Sequence, residues 1–372
     1  MKNSLKKVFA LVIFAAMLIS LVSCGSTTNE PSFTPVAEYT REFEGTEINV
    51  FNWGEYISDG SEDSLDVNAE FEKLTGIKVN YDNYESNEAM YAKLKSGAVS
   101  YDIIIPSDYM IERLVSEDML TEVDFSKITN YGLIDERYKG LYFDPEEKFS
   151  VPYNVGMVGL IYNSSTVEET PDSWAVMWDE KYKGDILTFN NPRDSFAIAQ
   201  LLLGIDLNTT DKAELDAAAA LLKEQKKDVQ AYMLDEAART KIESENADIA
   251  VIYNGEAYLA FEANDKLDFV IPEEGTCIWL DAFAIPKDAE NKENAELFLD
   301  FLCREDIAAM NFEYIYYSTP NKAVVDSLDP EILEEEAIFP EESVYENPTV
   351  FQYLGKEIEE YYTKLWKEIL VY

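Results

Sequence analysis

Two kinds of hydrophobic pattern alternate along the chain from residue 46 to its end. Short apolar runs predict β-strands, and apolar residues spaced three or four apart predict helices. Ser86 is a typical helix N-cap and Gly76 a typical C-cap, so we expect helix ends at these residues. The predicted strands are residues 48–51, 77–81, 103–105, 157–162, 248–253, 268–271 and 279–285, and the predicted helices are residues 65–74, 86–94, 196–203, 212–227, 257–263, 293–303 and 357–370.

Strands that alternate with helices are typical of parallel sheets that helices cover on both faces. Roughly 330 residues of such alternation exceed what one sheet comfortably holds, so the sequence predicts an α/β fold with two lobes. Ligands of open α/β sheets bind beyond the carboxyl ends of the strands. The residues directly after each predicted strand are therefore the first candidates for a binding site.

Composition narrows the classes of function. The chain has 372 residues, 47% of them hydrophobic, which is enough to build a folded core. Its net charge of −43 makes nucleic acid a poor partner and attracts cationic solutes, although a solvated acidic surface would also account for the charge. The sequence contains no histidine, which excludes Ser-His-Asp triads, Cys-His pairs and histidine-ligated metals.

The amino terminus has the pattern of a bacterial export signal. Residues 1–7 form a basic segment, and the uncharged apolar run that follows, residues 8–22, is short for a membrane-spanning helix. Leu-Val-Ser-Cys, ending at Cys24, resembles a lipobox, which implies a signal peptide over residues 1–24, lipidation of Cys24 and a tether over residues 25–44. An ordinary signal peptide is the alternative. We expect an exported protein, anchored by lipid to the outer face of the cell membrane, or periplasmic if the organism has an outer membrane.

Two further cysteines follow Cys24. Cys277 belongs to a predicted strand, and Cys303 lies near the end of a predicted helix. A disulfide would require their Cα atoms to lie within about 7 Å of each other, which the sequence does not establish. We therefore expect two buried thiols rather than a disulfide.

The segments at the ends of the predicted strands share one chemistry, namely aromatic rings beside carboxylates. Strand alternation also places Trp279 and Asp281 on the same side of their strand. This lining suits an organic ammonium ion, because carboxylates accept its charged nitrogens and ring faces pack on its methylenes and attract the cation. A hard metal ion would instead favour oxygen ligands without tryptophans. The segments are residues 52–56, 106–109, 190–194, 253–256 and 279–281.

Several segments also resemble one family, the spermidine/putrescine-binding proteins of bacterial polyamine ABC importers. The resemblance extends over nearly all of the chain after residue 46. The most specific similarities are at residues 51–56 (Phe-Asn-Trp-Gly-Glu-Tyr), 84–94 (Tyr-Glu-Ser-Asn-Glu-Ala-Met-Tyr-Ala-Lys-Leu), 105–109 (Ile-Pro-Ser-Asp-Tyr), 279–286 (Trp-Leu-Asp-Ala-Phe-Ala-Ile-Pro) and 318–321 (Ser-Thr-Pro-Asn).

The resemblance implies a fold, a domain division and a function. The implied fold is the type II periplasmic-binding-protein fold, in which each lobe is a mostly parallel sheet flanked by helices and crossover strands join the lobes. Residues 45–155 and 282–322 would form lobe 1, and residues 156–281 and 323–372 would form lobe 2. The implied function is capture of putrescine or spermidine between the lobes and delivery to an ABC permease, by a monomer without cofactor, metal or catalysis.

The resemblance further implies roles for individual side chains. Rings at five positions are expected to line the polyamine, three acids to accept its ammonium groups, and one hydroxyl to contribute a hydrogen bond. The rings are Trp53, Tyr56, Tyr109, Trp279 and Tyr317, the acids are Glu55, Asp194 and Asp281, and the hydroxyl is that of Ser107.

Some positions depart from the family pattern. Tyr253 replaces a tryptophan, so that wall of the site is expected to be smaller and to carry a polar edge. Asn191 replaces an aspartate of the spermidine-preferring pattern, which removes a carboxylate and favours putrescine. The alternative is that Asp108 substitutes for the missing carboxylate. Gln352 is aligned with a family glutamine near the carboxyl end.

Two other functions stay open from the residues alone. Carboxylates with aromatic platforms also suit a secreted glycosidase that needs no histidine, although nothing in the sequence marks Glu55, Asp194 or Asp281 as an acid with a raised pKa. The other alternative is an acidic surface adhesin. An adhesin would gain no stability from a small molecule, whereas a receptor gains stability from its ligand.

Overall fold

A nine-stranded sheet runs through the part of the chain that the structure describes. The computed structural model describes residues 39–61, 64–340, 344 and 350–372, so the predicted export signal, the lipobox and most of the tether lie outside the described residues. The strands are β1 (Glu47–Trp53), β2 (Lys78–Tyr84), β3 (Ile103–Ile104), β4 (Ser150–Asn163), β5 (Ile186–Phe189), β6 (Val229–Met233), β7 (Ile249–Tyr253), β8 (Leu267–Val270) and β9 (Ile278–Ala284).

Twelve α-helices occur in the same residues, and local sequence sets several of their ends. Asp66 accepts a hydrogen bond from the amide of Ala69 at the start of the first helix, and Gly76, with a φ of 76°, ends it. Within the described residues no helix is both long and apolar enough to cross a membrane. The helices are α1 (Val67–Thr75), α2 (Asn87–Ser96), α3 (Asp108–Ser116), α4 (Pro192–Leu203), α5 (Lys212–Gln225), α6 (Asp235–Glu243), α7 (Asn254–Ala263), α8 (Lys292–Leu302), α9 (Glu305–Ile315), α10 (Lys322–Ser327), α11 (Pro330–Leu333) and α12 (Lys356–Val371).

The sheet contains two parallel groups joined by antiparallel strands. Its strand order is β2-β1-β3-β9-β4-β7-β5-β6, with β8 paired to β4. We call β1–β3 with α1–α3 the first half, and β5–β7 with α4–α7 the second half, because all strand pairs within each of these groups are parallel. Between the halves, the 14-residue β4 pairs antiparallel first with β9 and then with β7 and β8. The predicted lobe boundaries fall within β4, β9 and α10, and the division into lobes remains a prediction.

The predicted strands and helices are present with ends displaced by at most four residues, except that β4 begins at Ser150 and not at the predicted residue 157. Other elements were missed for identifiable reasons. β5 has only four residues, and the half-exposed β6 lacks an apolar run. α6 reads Asp-Glu-Ala-Ala-Arg-Thr-Lys-Ile-Glu, with too few apolar residues to show a helical stripe. α3 and α9 were also missed. α3 begins within residues 106–109, which we interpreted mainly as a segment at the end of a strand.

The core is built around the central strands. β4 is buried along its whole length, and Trp174 and Phe189 are among the large side chains packed near it. Cys277 and Cys303 are both buried and both free, which confirms the prediction of two buried thiols.

Candidate binding site

A cavity of about 350 Å³ lies between the two halves, at the carboxyl ends of their parallel strands. Segments that follow β1, β3, β5 and β7 reach it, as the topology of open α/β sheets predicts, and β9 contributes two side chains from its middle. Eleven of the twelve predicted binding residues line it: Trp53, Glu55, Tyr56, Ser107, Tyr109, Asn191, Asp194, Tyr253, Trp279, Asp281 and Tyr317.

Gln352 is the exception. It is exposed and lies outside the cavity lining, while the neighbouring Phe351 is buried and lines the cavity. The backbone of Gln352 accounts for this arrangement, because its amide donates to Asn208 (2.8 Å) and its carbonyl accepts from Arg193 (3.4 Å). The structure thus brings Phe351 to the cavity where the family comparison suggested Gln352.

Sequence reasoning also missed part of the lining. The missed residues belong to the start of α2 and to the start of α6, and their polar side chains look like ordinary helix-start or surface residues in sequence. The Tyr-Glu-Ser-Asn-Glu motif was the one signal that could have identified the first group. The missed polar residues are Glu85, Ser86, Asn87, Glu88 and Glu236, whereas Glu256 belongs to the candidate segment 253–256 and also lines the cavity.

Aromatic rings form a continuous wall of the cavity. Trp279 meets Tyr317 edge to face at a centroid distance of 5.2 Å and Tyr253 at 6.0 Å, and Tyr317 meets Tyr56 at 5.7 Å. On the other side, the indole of Trp53 packs on Tyr84 and donates to a backbone carbonyl. Edge-to-face pairs of this kind hold rings in place, so the wall is organised before a ligand arrives.

Asp281 is the most exceptional carboxylate of the site. It is 4% exposed, on β9, and its Oδ1 has no hydrogen-bond partner among the described residues. Burial raises the pKa of Asp281 to about 7, and the nearby hydroxyls of Ser107 and Tyr56 lower this pKa only in part. A buried acceptor without a donor is unfavourable, so this oxygen is suited to a charged donor that enters the cavity.

Asp194 is buried in the first turn of α4 and is held by neighbours. Its Oδ2 accepts from the hydroxyl of Tyr253 (2.8 Å) and from the amide of Asn191 (2.7 Å). The side-chain oxygen of Asn191 also caps α4, because it accepts a hydrogen bond from the backbone amide of Asp194. Both polar atoms of the Asn191 side chain therefore position Asp194. Burial raises the pKa of Asp194, while Tyr253 and Asn191 lower it. The polar edge predicted for Tyr253 is thus directed at an acid.

Asp108, the proposed substitute acid, lies behind the wall. Its carboxylate accepts from the amides of Tyr109 (2.7 Å) and Leu280 (3.3 Å), and the residue is not part of the lining. Burial, with a contribution from Asp281, raises the pKa of Asp108 to about 8. Asp108 is therefore mostly protonated and uncharged at neutral pH, and it does not supply the cavity with the missing carboxylate.

These pKa shifts predict a pH dependence of stability in the ligand-free protein. The pKa of Asp281 is near 7 in the folded protein and about 3.9 in the unfolded chain. At pH values between these two, the carboxyl is protonated in the folded state and ionised in the unfolded state. Its contribution to stability is complete below the unfolded pKa and is lost as the pH rises through the folded pKa. Asp281→Asn has no such carboxyl and does not show this loss. We therefore expect the melting temperature of Asp281→Asn minus that of the original protein to increase from pH 4 to pH 7 and then to level off. A difference that does not change with pH would contradict the raised pKa.

Two arginines lie close to the lining acids. Arg193 is buried, pairs with Glu359 (2.9 Å) and lies over the ring of Phe351 (4.6 Å). Arg239, on α6, lies 3.6 Å from Glu55, whose side chain is 47% exposed and whose φ is 47°. Of the three acids predicted to accept amines, Asp194 and Asp281 are therefore buried, whereas Glu55 is half-exposed and has an arginine partner.

The site combines two buried carboxylates, a wall of rings and few cations, which is the environment that an organic cation requires. Against known proteins, residues 67–340 match the family described as bacterial extracellular solute-binding protein. The chain is also 38% identical over 325 residues to the spermidine/putrescine-binding periplasmic protein of Escherichia coli (strain K12), an alignment that covers 86% of this chain and 91% of that protein. This chain belongs to the bacterial extracellular solute-binding family.

Solved structures agree with this assignment. A Listeria monocytogenes chain provisionally described as a spermidine/putrescine ABC transporter superposes with a TM-score of 0.83 at 36% identity, covering 88% of this chain and 99% of that one. The spermidine/putrescine ABC transporter substrate-binding protein PotD of Streptococcus pneumoniae gives a TM-score of 0.72 at 33% identity, with the same coverage. The predicted type II periplasmic-binding-protein fold is confirmed. Because this family binds solutes for transport, the prediction of a non-enzyme is also confirmed, and the glycosidase alternative is excluded.

Proposed function

We propose that this solute-binding protein captures a polyamine, putrescine or spermidine, between two lobes and delivers it to the permease of an ABC importer, while a lipid on Cys24 anchors it to the membrane. The names of the similar proteins from E. coli and S. pneumoniae support the ligand class. The Leu-Val-Ser-Cys sequence supports the anchor. Lobe closure would follow because a ligand that touches residues of both halves favours the arrangement in which they face each other.

The unpartnered Oδ1 of Asp281 is the observation that carries the ligand assignment. An ammonium group supplies both the proton donor and the charge that this buried oxygen lacks, and a charge-assisted hydrogen bond of this kind is stronger than a neutral one. The rings of Trp279 and Tyr317 would pack on the methylenes next to that nitrogen. Asp194 offers a second carboxylate in the same cavity, so a cation with two charged ends fits better than one with a single charge.

Binding is tested by calorimetry and by the melting temperature at pH 8, where Asp281 is ionised. Putrescine or spermidine should raise the stability by about 2.7 kcal/mol at a free concentration about 100 times Kd, because the ligand binds only the folded protein. The matched control is 1,4-butanediol, which has the same carbon chain as putrescine but no charge. If the diol stabilises the protein as much as the diamine, or if neither polyamine has any effect at millimolar concentration, the assignment of the ligand is wrong.

A further inference from the structure

Arg239 is surrounded by three carboxylates from two parts of the fold. Its guanidinium lies 3.1 Å from Glu256 on α7, 3.5 Å from Glu243 on its own helix and 3.6 Å from Glu55, which follows β1. The Arg239 side chain is 16% exposed and that of Glu256 is 11% exposed. The pair with Glu55 therefore connects the second half of the fold to the first, and the pair with Glu256 is largely protected from water.

Glu55 and Glu256 line the cavity together with Asp194 and Asp281, whereas Arg239 does not line it. Arg239 thus holds these two lining carboxylates from outside the cavity. A guanidinium stays protonated at all physiological pH values, so its charge opposes any second cation that approaches the same carboxylates. The end of the cavity near α6 consequently presents less negative potential than Glu55 and Glu256 alone would provide.

The other lining acids do not replace the two that Arg239 holds. Glu85 and Glu236 are exposed, and water weakens ion pairs formed there. Glu88 is partly exposed and accepts a hydrogen bond from the hydroxyl of Tyr109 (2.9 Å), so an ion pair formed there is weaker than one at a buried acid. Among the described residues, Asp194 and Asp281 are thus the buried lining carboxylates that have no arginine within ion-pair distance.

We propose that Arg239 is a specificity-determining residue that makes the site favour cations with two ammonium groups over cations with three. This inference rests on the proposed function. A diamine can place one nitrogen at Asp281 and the other at Asp194. The third nitrogen of a triamine would have to share Glu55 or Glu256 with the guanidinium, and like charges so close together oppose binding.

The test is calorimetric measurement of Kd for putrescine and spermidine in the original protein and in Arg239→Gln. The original protein should bind putrescine more tightly, and Arg239→Gln should lower the ratio of the spermidine Kd to the putrescine Kd by about tenfold, the effect of about 1.4 kcal/mol. Arg137→Gln is the matched control, because it removes the same charge at a side chain that is 53% exposed and outside the lining, and it should leave the ratio unchanged.

Combined variants separate a direct effect from a general loss of structure. In Arg239→Gln with both Glu55→Gln and Glu256→Gln, the gain in spermidine affinity should disappear, and with Glu55→Gln alone it should become smaller, because one of the two released lining carboxylates is then absent. Tighter binding of spermidine than of putrescine by the original protein, or an equal ratio in Arg239→Gln, would overturn the role of Arg239 and leave polyamine binding intact. Failure of the original protein to bind either compound would instead overturn the proposed function itself.

Discussion

Asp281→Asn should weaken polyamine binding at pH 8 by about thirtyfold or more, which corresponds to the roughly 2 kcal/mol or more expected on removal of one partner of a buried charge pair. The substitution keeps the size and shape of the side chain, removes its charge and replaces one acceptor oxygen with an amide NH2 donor. The ligand-free protein should be as stable as before or more stable, because a buried carboxylate with an unpartnered oxygen has been replaced by a neutral group. Isothermal titration calorimetry and thermal unfolding of the same samples measure both effects.

The opposite signs of these two effects make the result informative. A residue that only supports the fold would lose stability and affinity together, whereas a ligand-binding acid loses affinity alone. Asp265→Asn, an exposed substitution of the same kind, should change neither quantity. If Asp281→Asn binds putrescine within a few-fold of the original affinity, Asp281 does not accept an ammonium group.

Gly156→Ala should reduce polyamine affinity by about thirtyfold, since a desolvated cation–π contact contributes roughly 2 kcal/mol. Gly156 lies opposite Trp279 in the β4–β9 ladder, and a Cβ at this position would lie 2.1 Å from Cζ2 of the indole. Tyr253 and Tyr317 meet the indole edge to face, so it cannot slide aside along the wall to avoid the methyl group. The added methyl group therefore displaces the ring from the cavity wall. Calorimetry with putrescine measures the loss.

Two further glycines serve as controls for this substitution. In Gly159→Ala, on the same strand, the added Cβ would lie 2.2 Å from the ring of Phe269, which does not line the cavity. This substitution should lower the melting temperature and leave the affinity of the folded protein unchanged. Gly132→Ala meets no atom within 4 Å and should change neither property. Equal losses of affinity in Gly156→Ala and Gly159→Ala would show that the effect is general and not due to Trp279.

Much of the site was predictable because it depends on local features of the chain. Trp279 and Asp281 share a face because side chains alternate along a strand, and Ser107 and Asp194 reach the cavity because they follow strands of an open sheet. Gln352 was not predictable in the same way, since it belongs to a segment without regular structure and its position depends on Asn208 and Arg193. The polar helix α6 was missed because it has too few apolar residues to form a hydrophobic stripe, and Arg239 was missed with it.

The amino-acid sequence by itself determined the α/β class, the positions of most strands and helices, and the collection of rings and acids at strand ends. These properties follow from periodicity and capping, which act over a few residues. Only the tertiary structure decided how each acid differs from the others: that Asp281 is buried without a donor, that Asn191 holds Asp194, and that Arg239 reaches Glu55. Burial and charge pairing depend on distances between residues far apart in the chain, and no local pattern specifies those distances.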